Sequence, residues 1–267
     1  SQTNAIIPGT IDDKIKRLLD QKASRYENRS FIENDPISVP HGFTSGPDIE
    51  IAGLFSSVFS WGLRKTIINK SRELLHMMDD SPHDFILHHT DEDLKVLENF
   101  RHRTFQPADA LYFVHFLHHY FHNHHSLEEA FRDRDGTFED LESGLINFHL
   151  LFFNNEYALD RTRKHIPSPA RNSATKRLNM YLRWMVRPSD REVDFGLWKN
   201  ISPSRLFIPL DVHVSRVAQR LGILRRDKSD WKAVLELTGY LRKLDPLDPV
   251  RYDFALFNMG LNNEFFD

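Results

Sequence analysis

Apolar residues recur three and four positions apart along most of this chain, and that spacing constrains the fold more than any other feature. Ile51, Leu54, Phe55, Val58 and Phe59 line one side of a helix preceded by Pro47 and capped by Asp48. A second helix follows Gly62 from about Arg64 to Met78, with Ile67, Ile68, Leu74 and Leu75 on its faces. Ser81-Pro82, Ser126 to Glu129 and Thr137 to Asp140 have the pattern of helix starts. Ala174, Leu178, Tyr181, Leu182 and Met185 form a stripe on a helix that ends at Arg187, before Pro188. Its other face reads Lys176, Met180, Arg183 and Arg187. Leu210, Val214, Val217, Ala218 and Leu221 stop at Gly222, Trp231 to Leu244 continues the pattern, and Asp248-Pro249 opens a last helix through Gly260. Val193 to Trp198 and Phe207 to Leu210 are too short for strands and lack hairpin partners, so the expectation is an all-α fold.

At 267 residues the chain is about 1.8 domain-lengths of about 150 residues, enough for one large unit or two packed lobes. Charge divides it. Residues 1–159, which include the early core helices 48–78, hold 15 Lys+Arg against 25 Asp+Glu, a net of −10; residues 160–267 hold 20 against 13, a net of +7. A polyanionic partner is therefore expected at the basic lobe. The absence of cysteine excludes disulfides, a thiol nucleophile and cysteine-ligated metal sites. No apolar run reaches membrane-span length, and the first residues lack a secretory pattern, so the expected compartment is the cytoplasm. No Gly-x-Gly-x-x-Gly or Gly-Lys-Ser/Thr occurs, which argues against a nucleotide cofactor.

Lys176 and Asp211 each stand near the start of a helix in the basic lobe. A helix N-terminus carries partial positive charge, which tends to lower the pKa of a nearby lysine and make it nucleophilic. Such an amine can attack a sugar C1′, and a nearby carboxylate can stabilise the developing cation. Position alone leaves open a surface lysine and an aspartate that is only a helix cap.

The run Ile208-Pro-Leu-Asp-Val-His-Val-Ser-Arg-Val-Ala-Gln-Arg-Leu-Gly222 resembles the catalytic-aspartate segment of the helix-hairpin-helix DNA glycosylase superfamily. With Lys176-Arg-Leu-Asn-Met-Tyr-Leu-Arg-Trp-Met185 upstream, the pair is most similar to the archaeal 8-oxoguanine glycosylases. Ile51 to Leu75, with Phe59-Ser-Trp-Gly-Leu-Arg-Lys65, is similar to that superfamily's paired early helices. The resemblance implies a two-lobed helical bundle with catalytic Lys176 and Asp211, the latter flanked by His213 and Arg216. The whole chain also resembles a bacterial family of uncharacterised proteins, through Asn34-Asp-Pro36, Asp48-Ile-Glu-Ile-Ala-Gly53, His102-Arg-Thr-Phe105 and Leu182-Arg-Trp-Met185.

The expectation that follows is a bacterial DNA base-excision glycosylase and AP lyase. It would act on damaged duplex with a flipped base, such as 8-oxoguanine, associate with the nucleoid and need no cofactor or metal. Arg64, Lys65, Arg177, Arg183, Arg187, His213 and Arg216 are the candidate DNA contacts, with Trp61 and Trp184 the candidate base-pocket walls; both tryptophans also read as core residues. Only Gly196 lies between Lys176 and Asp211, so the superfamily's glycine-bracketed hairpin has no counterpart there. That difference favours an alternative, a non-catalytic DNA-binding or lesion-sensing protein on the same fold. His115, His118, His119 and His122, followed by His124 and His125, support a third reading, a metal-dependent phosphohydrolase with His83 and Asp84 as extra ligands; their interleaved aromatics fit a buried structural helix better. Arg101-His-Arg-Thr-Phe105, a cationic cluster in the acidic part, is expected to pair internally with Asp91, Glu92 or Asp93.

Overall fold

The computed structural model describes residues 5–265, and every named element in them is helical, with two isolated bridges at His102–Phe105 and Ser173–Asp230. The chain forms two compact units: residues 32–167, and residues 1–31 together with 168–267. The boundary drawn from charge at 159/160 thus moves to 167/168, and the first 31 residues leave the acidic part. The reason is a stripe: α1 (Ile11–Tyr26) buries Ile15, Leu19 and Ala23 and packs within the discontinuous unit. Thr10 caps it by accepting from Asp13 N at 3.3 Å. Charge still follows the units, with a net of −10 for residues 32–167 and +7 for the remainder.

The continuous unit is built around α2 (Gly46–Val58), buried without interruption from Ile49 to Val58. Its buried serines are satisfied inside: Ser56 Oγ donates to Pro36 O at 2.7 Å and Ser57 Oγ to Leu54 O at 2.9 Å, as burial of a hydroxyl requires. The cap is Ser45, three residues before the expected Asp48; Asp48 instead accepts from His83 N at 2.9 Å. That hydrogen bond ties α2 to the first turn of a later helix. After α3 (Arg64–Met77) come α4 (Pro82–His88), the single turn α5 (Asp91–Leu94), α6 (Pro107–Asn123) and α7 (Leu141–Phe153). Asp140, not Thr137, caps α7, accepting from Ser143 N at 3.1 Å, while Ser126 heads a 3-10 helix, Leu127–Phe131. Phe55, Phe59, Phe105, Phe113 and Phe152 are fully buried, with ring contacts such as Phe59–Phe105 at 4.8 Å and Phe113–Phe152 at 4.7 Å.

In the discontinuous unit, α8 (Lys176–Val186) is buried from Leu178 onward. A connection of residues 187–211, with one 3-10 turn at Pro203–Arg205, leads to α9 (Val212–Arg220). α10 (Trp231–Leu244) and a 3-10 turn, Pro249–Arg251, then lead to α11 (Tyr252–Asn262), which packs on both α1 and α9. Among the described residues, no helix is long and apolar enough to cross a membrane.

Candidate active site at Lys176 and Asp211

The two residues singled out by position lie 35 apart in sequence and meet in space: Lys176 Nζ donates to Asp211 Oδ2 at 2.8 Å. Each is held by its own helix start. Asp211 is the cap of α9, where its Oδ1 accepts from Val214 N at 2.8 Å. The segment before it is pinned by buried Ile208 and Leu210 and by the hydrogen bond from Ile208 N to Thr238 Oγ1 at 3.1 Å. Lys176 is the first residue of α8 and follows Thr175, buried and left-handed at φ 52° and ψ 39°. Thr175 is fixed by bonds at both ends: its N–H donates to Ser173 Oγ at 3.0 Å, and its carbonyl accepts from Asn179 N at 3.0 Å.

The aspartate is therefore a cap, and it is also an ion-pair partner that solvent reaches: side-chain exposure is 32% for Lys176 and 24% for Asp211. Burial pushes the Asp211 carboxyl up, but the Lys176 ammonium and the Val214 N–H outweigh it and hold it below the usual carboxylate range. An ionised carboxylate against an ammonium, both open on one side, can orient that amine and stabilise positive charge on an atom bonded to it.

Beneath the pair lies a network that sequence reasoning misplaced. Arg183 and Arg187 were expected on a DNA-facing surface; both are buried, so neither reaches a phosphate in this conformation. Arg183 donates to Asp194 at 3.1 Å and Asp253 at 2.7 Å, and Arg187 donates to Glu27 at 2.6 Å, Asp194 at 2.7 Å and Asp248 at 2.8 Å. Both guanidiniums lie over the ring of Phe254, at 4.5 and 5.5 Å. Buried cations need such partners because desolvation would otherwise dominate. Burial raises the Asp253 carboxyl, against the opposing pull of Arg183 and Lys176. Asp253, Asp194 and Glu27 escaped the sequence reading; the available signal was two arginines four apart among the apolar residues at the C-terminal end of α8.

Trp184 is fully buried and its indole N–H has no hydrogen-bond partner, so it is core and not a wall open to a base. Arg177 is half-buried, and desolvation pulls its guanidinium down to about 10. His213 and Arg216 are exposed on α9, where a ligand at Asp211 can meet them.

The remaining candidates belong to the continuous unit. Trp61 is half-buried against His102 and His165, with ring centroids 4.7 and 5.9 Å apart; Arg64 and Lys65 occupy the first turn of α3. The histidines of α6 pair ring to ring, His115 with His119 at 4.5 Å and His118 with His122 at 4.4 Å. His118 Nδ1 lies 2.8 Å from Ile86 O, and His124 pairs with Glu129 at 2.8 Å. Among the described residues no three His, Asp or Glu side chains converge so as to hold a metal ion, which removes the geometric basis of the phosphohydrolase reading.

Comparison with family models adds one result: residues 35–262 match a family described as a protein of unknown function, DUF2400. The chain belongs to the DUF2400 family. The match spans the site, from before α2 to the end of α11, so in this DUF2400 protein Lys176, Asp211 and the buried arginine network apart from Glu27 lie within the family region. Neither the curated proteins nor the solved structures provide a match.

Proposed function

We propose that this DUF2400 protein is a DNA base-excision glycosylase and AP lyase in which Lys176 is the nucleophile and Asp211 its partner. The observation that carries the reading is the 2.8 Å contact between Lys176 Nζ and Asp211 Oδ2, at helix starts that the sequence had marked separately. In the reaction, Lys176 Nζ gives up a proton to solvent while Asp211 stays ionised beside it, and the neutral amine attacks C1′ of a flipped nucleotide. The C1′–N bond breaks, the base leaves with the bonding pair and is protonated, and opening of the sugar ring gives a protonated Schiff base. Loss of the 2′ proton then expels the 3′ phosphate and cleaves the strand. Asp211 stabilises the cationic character at C1′, and Arg177, His213 and Arg216 are the proposed contacts to phosphates or the base. Oxidised purines such as 8-oxoguanine are the proposed substrates, the bacterial nucleoid is the proposed location, and the chemistry calls for no metal or nucleotide cofactor.

Borohydride trapping on oligonucleotides containing 8-oxoguanine or an abasic site tests the proposal. Wild-type protein should form a covalent adduct, Lys176→Gln should form none while still binding, and Asp211→Asn should slow base release by orders of magnitude. Undiminished trapping by Lys176→Gln would refute the assignment. A non-catalytic lesion-binding role is the second reading, favoured by the connection of residues 187–211, whose single 3-10 turn stands where the superfamily has a glycine hairpin. Tight binding with no adduct would select it.

A further inference from the structure

The continuous unit carries 12 Lys+Arg against 22 Asp+Glu, an excess of carboxylates in which each cation is expected to find an acidic partner. Arg101 and Arg103 are two of several that do not, with Lys65, Arg72, Arg132 and Arg134 among the described residues. The expected pairing with Asp91, Glu92 or Asp93 is absent: Arg101 donates to the amide oxygen of Gln106 at 3.3 Å, and the Arg103 guanidinium lies over the Trp61 ring at 6.0 Å. Among the described residues, neither has a carboxylate within ion-pairing distance, and both are exposed.

Arg103 is also held where its backbone is unfavourable. Residues His102 to Phe105 close a two-residue turn, with His102 N donating to Phe105 O at 3.0 Å and Phe105 N to His102 O at 2.8 Å. Arg103 fills its first tip position at φ 54°, a left-handed conformation suited to glycine or asparagine. The turn is braced by Gln106 Nε2, which donates to Arg103 O at 3.2 Å, and by Arg161, which donates to Thr104 O at 3.0 Å while anchored on buried Asp109. The Arg103 side chain passes close to Gly62, whose Cβ, if present, would stand 2.6 Å from Nη1 at its flexible end. A residue that strains its turn and is braced on both sides is positioned for something other than stability.

We infer that Arg101 and Arg103, beside the half-buried ring of Trp61, form a phosphate-binding surface for a nucleic-acid backbone. The two exposed guanidiniums offer forks of donors to phosphate oxygens, and the neighbouring indole offers a ring against which a base can stack. A ring beside the cations favours a nucleic acid over an acidic peptide, which has no base to lay on it. Arg64 and Lys65 extend the positive charge along the same segment. The acidic remainder of the unit repels polyanions, so binding is confined to this surface. The inference shares the nucleic-acid partner of the proposed function but not its lysine chemistry.

The test is fluorescence anisotropy of a labelled oligonucleotide against the full chain between about 50 and 200 mM salt. The variants are Arg103→Gly, Arg101→Gln and their combination. Glycine suits the turn, so Arg103→Gly should melt no lower than wild type while weakening binding. Each arginine removed should reduce the slope of log affinity against log salt by about one. Trapping reads the chemistry of Lys176 whereas this assay reads binding, so a failed trapping experiment leaves this result standing. Unchanged affinity and slope in the well-folded double variant would overturn the inference. Competition by polyglutamate as effective as by unlabelled oligonucleotide would also overturn it, in favour of an acidic-peptide surface, and displacement by inorganic phosphate alone would reduce it to a free-phosphate site.

Discussion

Thr175 is a β-branched residue in a left-handed conformation immediately before the proposed nucleophile. Such a placement costs on the order of 1–3 kcal/mol and persists only where the surroundings impose it. Here the hydrogen bonds to Ser173 and from Asn179 do so, and their effect is to fix where α8 begins and hence where Nζ lies. Thr175→Gly should relieve the strain, offset by glycine's extra unfolded-state freedom of about 0.5–1 kcal/mol, so a urea melt should show a change within about 1 kcal/mol. The same variant should trap abasic DNA more slowly, because Lys176 is less firmly aimed. A loss above about 3 kcal/mol would mean that the left-handed threonine is not strained. Lys176 and Asp211 were legible in the sequence because a helix start is a local signal, written in the few residues around a proline and an aspartate. Arg183 and Arg187 were misread because their fate depends on Glu27, Asp194, Asp248 and Asp253, none of which lies on α8.

Helix existence was legible from apolar spacing for most elements after residue 48, while α1, with its stripe of Ile15, Leu19 and Ala23, was not read, and helix starts were less legible still. Ser45 displaced Asp48 and Asp140 displaced Thr137, since several cap-competent residues stood in a row and only the packed helix decides among them. The histidines of α6 show the same limit: a face of imidazoles was readable, but their partners, an Ile86 carbonyl and one another's rings, were not. These contacts have a titration consequence. Burial, with help from His119 and His118, lowers the His115 pKa below 6.5, and burial lowers that of His83 on α4 despite Asp48 and Asp84. Below about pH 6.5 the unfolded chain then binds protons that the folded chain resists, so stability is full above that pH and falls as acid is added. Denaturant melts from pH 7.5 to 5.5 should show this decline, with a shallower slope in His115→Gln; a slope unchanged by that substitution would exclude His115 as a contributor.

For the molecule as a whole, the discontinuous unit is held together by groups far apart in sequence. Arg187 alone joins Glu27 to Asp194 and Asp248, and Lys22 pairs with Glu264. Removing one partner of a buried ion network strands the others, so Arg187→Ala should cost about 3–5 kcal/mol in equilibrium unfolding. The salt dependence of DNA binding should be unaltered, because the guanidinium does not face solvent; a reduced slope would restore it as a DNA contact. The packing of α1 on α11 also has a meaning in time. A ribosome adding about 5–20 residues per second makes α1 some ten to fifty seconds before α11. Throughout that interval the earliest helix is without its partner, while the continuous unit can close on itself. The nascent chain therefore acquires its acidic body first, and the lysine–aspartate pair is assembled and braced only near the end of synthesis.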